Sequence, residues 1–346
     1  MMVSNRCIAI LGFIIFIAIV IYFLFNDKIK SFRQINNFTD KEVDDFLNTF
    51  EQRNNKNFDP QVVANYYKVL HPLCCLGDIT KMYVPPPIEP SKSVYKNQLL
   101  FEQKMVDKLK LDKNSVVLDM CCGMGKVMQN VHKLSGGCKV IGFNIEQNQI
   151  SKGQQEIIKN KLDKKVAIKY HNVNDNLDML NIEDNSFDAI YNIQAVTYIK
   201  DLNKTFGEAY SKLKTGGVLF LNPFLLLPSY NPSDEKHKKY LYETVAVTGA
   251  VGTYRNSEVI DSLKSVGFKN IEEIDWGNSN KQSILIETAH SQFGNIKHVI
   301  TLLGSCGILS SNTVKLIKRM RQGADEFIKG TDLNLFTINH VIIAVK

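Results

Sequence analysis

Residues 115–126 read Ser-Val-Val-Leu-Asp-Met-Cys-Cys-Gly-Met-Gly-Lys. A short apolar strand, Val116–Leu118, ends on Asp119 and breaks into a turn carrying Gly123 and Gly125. A helical stretch follows from Lys126. Glycine lets the backbone approach a ligand closely, and the first N–H groups of a helix have no partner inside it. A strand, glycine turn and helix in this order hold something polar or negative. That marks a nucleotide-type cofactor site rather than a plain α/β core.

Such a turn needs a sheet behind it, and the sequence supplies one. Strands are expected at Val116–Leu118, Lys139–Phe143, Val166–Tyr170, Ala189–Ile193 and Gly217–Asn222. Helices are expected at Lys126–Leu134, Glu146–Lys161 and Leu202–Lys212, with another at about Lys92–Leu109. Alternation at this pitch predicts a parallel sheet with helices on both faces and right-handed crossovers. Ligands of such sheets sit beyond the carboxyl ends of the strands. Asp119, Asn144, Asn174, Asp175, Asn192 and Gln194 all fall at or just past those ends.

Beyond residue 222 the pattern is less regular. Tyr230–Tyr242 reads as a polar, aromatic lid or excursion, Thr253–Val266 as a helix and Lys269–Ile274 as a strand. Ile296–Ile328 is mostly helical in pattern, and Leu335–Val345 returns to an apolar β pattern. Before residue 90, residues 26–60 read as a polar spacer, helical or loose, in which Phe38, Val43, Phe46 and Phe50 have a weak amphipathic spacing. Asn54–Asn57 reads as a loop, and Pro85, Pro86 and Pro87 stiffen a boundary. The expected division is a membrane anchor over 1–28, a spacer and helical region over 29–90, a cofactor-binding core over 91–222 and a substrate-binding region over 223–346.

With 346 residues, 44% of them hydrophobic and 22% charged, the protein has the composition of a folded globular molecule. The net charge of +7 comes from scattered lysines, which suits a solvated or lipid-facing surface and not a nucleic-acid groove. The seven cysteines form two adjacent pairs and three singles, neither a disulfide ladder nor a zinc pattern, so no metal is expected. Cys7–Phe25 is an unbroken apolar run of the length a bilayer helix needs, with no Ala-x-Ala cleavage site where it ends. Lys28, Lys30 and Arg33 follow it, against Arg6 before it. The excess of cations on the far side predicts a single-pass protein with its body in the cytosol, for which the endoplasmic reticulum is a compatible membrane. Nothing in the sequence speaks to an oligomeric state.

The spacing Asp119-x-x-x-Gly123-x-Gly125 resembles the first motif of class I S-adenosylmethionine-dependent methyltransferases. It is less like the dehydrogenase pattern, because Met128 stands where a third glycine would. Asp184-Asn185-Ser186-Phe187-Asp188 resembles the signature those enzymes carry before their fourth strand. Lys212-Leu213-Lys214-Thr215-Gly216-Gly217 resembles the turn before their fifth. Val140 through Asn144 with Gln149-Ile150, the pair Tyr66-Tyr67, and the tail Gly323-Ala324-Asp325 through Gly330 to Leu335-Phe336-Thr337 look like sterol C-methyltransferases. This longer likeness spans about residues 60–346. It implies a Rossmann-like α/β methyltransferase fold with a C-terminal extension over a sterol pocket, and S-adenosyl-L-methionine as cofactor. Carried over by position, the cofactor-binding residues would be Asp119, Cys121, Gly123, Gly125, Asn144, Gln149, Asn174, Asp175 and Asn192. Asn144 would meet the ribose hydroxyls in place of the usual acid, and the Asn174-Asp175 turn would meet the adenine amino group.

Two departures bear on the acceptor carbon. His71-Pro-Leu-Cys-Cys-Leu-Gly-Asp78 stands in place of the family's aromatic, glycine-rich run, and Gln194-Ala-Val-Thr-Tyr198 in place of its Glu-Ala-Thr-Cys-His. Methylation of the sterol side chain, at C-24, passes through a cation that carboxylates and aromatic faces stabilise, and Gln194 carries no charge. The branch most resembled is then the nematode-type enzymes that methylate the A ring at C-4. That chemistry needs a base and an oxyanion donor at a 3-keto sterol. The candidate catalytic residues are His71, Asp78, Tyr83, Gln194 and Tyr198. Apolar Phe224–Leu227 and segment 299–309 are expected to line the pocket or touch the membrane. The alternatives are methylation at C-24, another lipid or quinone-like acceptor, and cofactor binding without catalysis.

Overall fold

The computed structural model describes residues 30–54, 58–76, 81–277, 281–287 and 302–346. The apolar run Cys7–Phe25, residues 55–57 of the expected loop, residues 296–301 of the expected helix and the candidate Asp78 lie outside them. Among the described residues no helix is long and apolar enough to cross a membrane.

The centre is a sheet whose first five strands are parallel and ordered β3 (Val166–Tyr170), β2 (Lys139–Asn144), β1 (Val116–Met120), β4 (Phe187–Ile193), β5 (Leu213–Asn222). Apolar residues fill both faces of the inner strands, as a sheet covered on both sides requires. Along β1, Leu118 and Met120 join one core cluster while Val117 joins the other, which is the period-two alternation of a strand. Helices α4 (Val94–Lys108), α5 (Lys126–Leu134), α6 (Gln147–Lys159), α7 (Leu202–Lys212) and α9 (Asn256–Ser265) flank it.

The expectation of a purely parallel sheet fails at the far edge. β10 (His340–Val345) lies antiparallel between β5 and β8 (Lys269–Asp275). The reason is where the backbone arrives. α10 (Ser311–Asp332) and β9 (Phe336–Thr337) bring it to the carboxyl end of β5. β10 then runs back until the Lys346 N–H meets the Gly217 carbonyl near the start of β5. β9 also pairs with β6 (Leu225–Leu226), which pairs with β7 (Tyr254–Arg255), so a small second sheet sits at the carboxyl end of the large one.

The remaining helices form a cap. α1 (residues 30–36), α2 (Asp40–Asn54) and α3 (Pro60–Leu76) pack with α10 around Ile35, Phe38, Val43, Phe46, Tyr66, Leu70 and Leu316. Of the two readings of the segment before residue 60, helical or loose, the helical one holds, and its weak amphipathic face belongs to a packed layer. Much of the expected 230–242 excursion is α8 (Glu235–Thr248), held along α10 by the Arg319–Glu243 ion pair at 2.6 Å.

Candidate active site

The loop leaving β1 is shaped by three left-handed residues, Cys121 (φ 70°), Gly123 (φ 55°) and Gly125 (φ 68°). The Cys122 N–H donates to the Phe143 carbonyl at 2.9 Å, so the loop stays tied to β2 as it turns. A Cβ on Gly125 would stand 2.8 Å from Ile168 Cδ1, so only glycine closes this turn. A Cβ on Gly123 would meet only Gln149 Oε1, at 3.7 Å, because that glycine faces the open crevice.

The crevice lies beyond the carboxyl ends of β1 to β4. Asp119, Cys121, Gly123, Asn144, Gln149, Asn174, Gln194, Tyr198 and Tyr83 line it, joined by Tyr67, Lys81, His171 and Asn172. Burial pushes the Asp119 carboxyl up to about 8, a rise that nearby Glu102 reinforces and Tyr191 opposes. Burial and the charge of Asp119 raise the Cys121 and Cys122 thiols well above their ordinary range, so both stay protonated and unreactive.

At the β2 end, Asn144 Nδ2 donates to Gln149 Oε1 at 2.9 Å and to the Gly123 carbonyl at 3.3 Å. Glu146 caps α6 by accepting from the Asn148 and Gln149 N–H groups, which fixes the first turn that carries Gln149. Gln149 Nε2 is buried with no partner. So is Nε2 of His171, whose ring meets Phe143 edge-on at 5.1 Å. Burial lowers the His171 pKa and keeps the imidazole neutral. Unpaired buried polar atoms cost free energy, of order 1–3 kcal/mol each, unless a ligand meets them. Two of them on crevice-lining residues, with Gly123 open to the same space, fit the polar edge of a nucleoside. S-Adenosyl-L-methionine fits such a crevice, and Gln149 and His171 are the residues that would meet its polar edge.

Several expected ligands do other work. The Asn174 amide is taken up by the backbone, donating to the Tyr198 carbonyl at 2.9 Å and accepting from the Lys200 N–H at 2.7 Å. Asn192 is fully buried, donating to the Met120 carbonyl and accepting from the Ala195 N–H, which ties the end of β1 to the turn after β4. Asn192, Asp175 and Gly125 are not among the crevice-lining residues.

The candidate catalytic residues separate in the same way. His71, on α3, is not among the crevice-lining residues, and burial with the charges of Lys152 and Lys126 lowers its pKa to about 4. Tyr83 lines the crevice, but its hydroxyl turns away to donate to Glu102 at 2.7 Å, and burial beside that carboxylate keeps it protonated. Gln194 Nε2 donates to the Val84 carbonyl at 2.6 Å and its Oε1 accepts from the Val84 N–H at 3.2 Å. It clamps the segment after residue 80 onto the end of β4. A carboxylate could accept one of these bonds but would repel the carbonyl. Tyr198 stays at the crevice, its hydroxyl 2.6 Å from that of Tyr67 and donating to the Gly249 carbonyl at 2.9 Å.

Sequence reasoning missed the ion pair behind this wall. Lys81 Nζ lies 2.6 Å from both Glu102 oxygens, and Asn130 and Tyr83 donate to the same carboxylate. Twenty-one residues separate the partners, Lys81 in an irregular segment and Glu102 on α4, so no spacing signals them. His171 carried a signal that went unused, since it directly follows the last residue of β3.

Residues 111–251 match the model of a methyltransferase domain family. Sterol 24-C-methyltransferase of Schizosaccharomyces pombe is 25% identical over 266 residues, 71% of this protein and 69% of that one. Among solved structures, the [4+2]-cyclase SpnF superposes with a TM-score of 0.63 at 14% identity, over 83% of this protein and 96% of that one. Phosphoethanolamine N-methyltransferase 2 of Haemonchus contortus in complex with S-adenosyl-L-methionine gives 0.53 at 19%, over 72% and 52%. The structural likenesses place the fold among the class I methyltransferases. With the family match, the sterol methyltransferase relatives and the unpaired atoms at the β1–β2 crevice, the protein is an S-adenosylmethionine-dependent methyltransferase.

Proposed function

We propose that this methyltransferase acts on a sterol, and on A-ring carbon C-4 in preference to C-24 of the sterol tail. The relatives that resemble it are named as sterol methyltransferases, and an apolar polycycle suits a crevice wall built from Phe58, Pro60, Val63, Val173 and Ile193. One observation carries the choice of carbon. Among the described residues that line the crevice, Asp119 is the one carboxylate, and it sits at the cofactor end. Gln194, where an acid would be expected to stabilise a cation in the sterol tail, is neutral and bonded to Val84.

Bound cofactor supplies an electrophilic methyl group on a sulfonium sulfur. The protein's residues hold the acceptor in line with it and exclude water. The Tyr67 and Tyr198 hydroxyls form a short donor relay anchored on the Gly249 carbonyl. Were the Tyr198 O–H to turn from the Gly249 carbonyl to a 3-keto oxygen, the pair would polarise that ketone.

The activity in the name of the S. pombe relative, sterol 24-C-methyltransferase, favours a second reading, methylation at C-24. Incubation with methyl-labelled cofactor and two acceptors, a 3-keto sterol and a sterol with an alkene in its tail, separates them. Label at C-4 of the keto sterol supports the ring reading, and label in the tail of the second overturns it. The membrane tether over Cys7–Phe25, with the body on the cytosolic side, belongs to the same proposal, because a sterol is taken most directly from lipid.

A further inference from the structure

Exposed apolar side chains are ordinary when scattered. Three of them here lie on two segments that meet, α1 and residues 302–310. Phe32 is 36% exposed on α1, one helical turn before Asn36, and residues four apart lie on the same face of a helix. The Asn36 amide holds the turn that follows residue 302, donating to the Ile308 carbonyl at 3.2 Å and accepting from the Ser310 N–H at 2.7 Å. Leu302, at the start of the short helix before that turn, is 62% exposed, and Ile308, on the turn, is 54% exposed. Lys30 and Arg33 are exposed on α1.

What covers this face follows from the segment that precedes it. The apolar run Cys7–Phe25 would extend about 28 Å as a helix, close to the hydrocarbon thickness of a bilayer. Asn26 to Ile29, which link it to α1, reach at most about 14 Å when fully extended. If the run spans a membrane, α1 and the turn tied to it stand at the membrane–water boundary. Apolar side chains beside lysine and arginine suit that boundary, where the cations meet lipid phosphates.

We propose that Phe32, Leu302 and Ile308, flanked by Lys30 and Arg33, form a membrane-docking face seated in the headgroup layer of a lipid bilayer. The proposal rests on the membrane tether put forward above. Beneath the face, Ile35, Phe38, Phe46 and Tyr66 pack in one cluster with Tyr67, whose ring lines the crevice. Docking therefore sets the orientation of the crevice relative to the lipid from which an apolar acceptor would come.

The test uses the full-length protein in vesicles of phosphatidylcholine with a minor fraction of phosphatidylserine and a phosphatidylcholine carrying a diazirine near its headgroup. After illumination, lipid adducts are mapped by peptide mass spectrometry. Adducts are expected on the peptides holding Phe32 and residues 302–309 as well as on the apolar run. None are expected around Ile158 and Met179, which are 63% and 70% exposed elsewhere on the molecule. Adducts on the run alone overturn the docking face and leave the tether standing. A protein that takes no adducts and stays out of the vesicle fraction overturns both. Protein–protein cross-links through residues 302–309 in place of lipid adducts assign the face to a second copy and also overturn it.

Discussion

The two ends of the crevice are built on opposite rules. At the β2 end, Gln149 Nε2 and His171 Nε2 are buried without partners, and Asp119 carries a proton that burial makes hard to lose. At the β4 end, Asn174, Gln194, Tyr67 and Tyr198 are already bonded to backbone or to each other. A polar, charged cofactor can satisfy atoms left unpaired and repay their desolvation. An apolar acceptor cannot, so a wall that faces it must satisfy its own polar groups. The difference is the ground for assigning the cofactor to the first end and the acceptor to the second.

Gly125 is where this contrast breaks most forcefully. Gly125→Val puts a branched residue at φ 68° and against Ile168, so the loop must move. Strain of about 1–3 kcal/mol together with the clash should weaken S-adenosylmethionine binding roughly a hundredfold by calorimetry. Unchanged affinity would mean that the loop is not the cofactor site. Next in size are Tyr67→Phe and Tyr198→Phe, which remove the donor relay from the other end. Each should lower kcat by roughly ten- to a hundredfold while cofactor affinity holds, and the double variant should cost less than the product of the two.

Gln194→Glu sharpens the contrast at lower cost. It removes the bond to the Val84 carbonyl and sets a charge against it, so urea melts should show a loss of about 1–3 kcal/mol. A variant as stable as the parent would show that Gln194 is not a clamp. The pH dependence of the cofactor end is spread over several pH units. Asp119 holds its proton more tightly when folded, with a pKa of about 8 against an ordinary value of 3.8. Its contribution to stability is therefore whole below the ordinary value and falls away as pH rises toward and through about 8. The slope is at most about 1.4 kcal/mol per pH unit. Asp119→Asn should flatten that slope in urea melts of the ligand-free protein, and a slope unchanged by the substitution would assign it elsewhere.

The cofactor half of the molecule was legible because its signals are local. A strand end, a glycine turn and a helix start lie within twelve residues, and β1 through β5 alternate with helices at the expected pitch. The acceptor half was not, because its features join distant segments. Gln194 meets Val84 across 110 residues, Tyr198 meets Tyr67 across 131, and β10 enters the sheet only after α10 has brought the backbone round to it. Residue type alone made Tyr83 and His71 look reactive. Burial and neighbouring charges, which no spacing reveals, leave one a protonated phenol and the other a neutral imidazole.

The most direct test is a crystal structure of the protein soaked with S-adenosylhomocysteine. The nucleoside is expected in the crevice after β1, with Gln149 Nε2 and His171 Nε2 both within hydrogen-bond reach of it. An empty crevice, or a nucleoside bound elsewhere with those two atoms still unpaired, would contradict the assignment of the β1–β2 end to the cofactor.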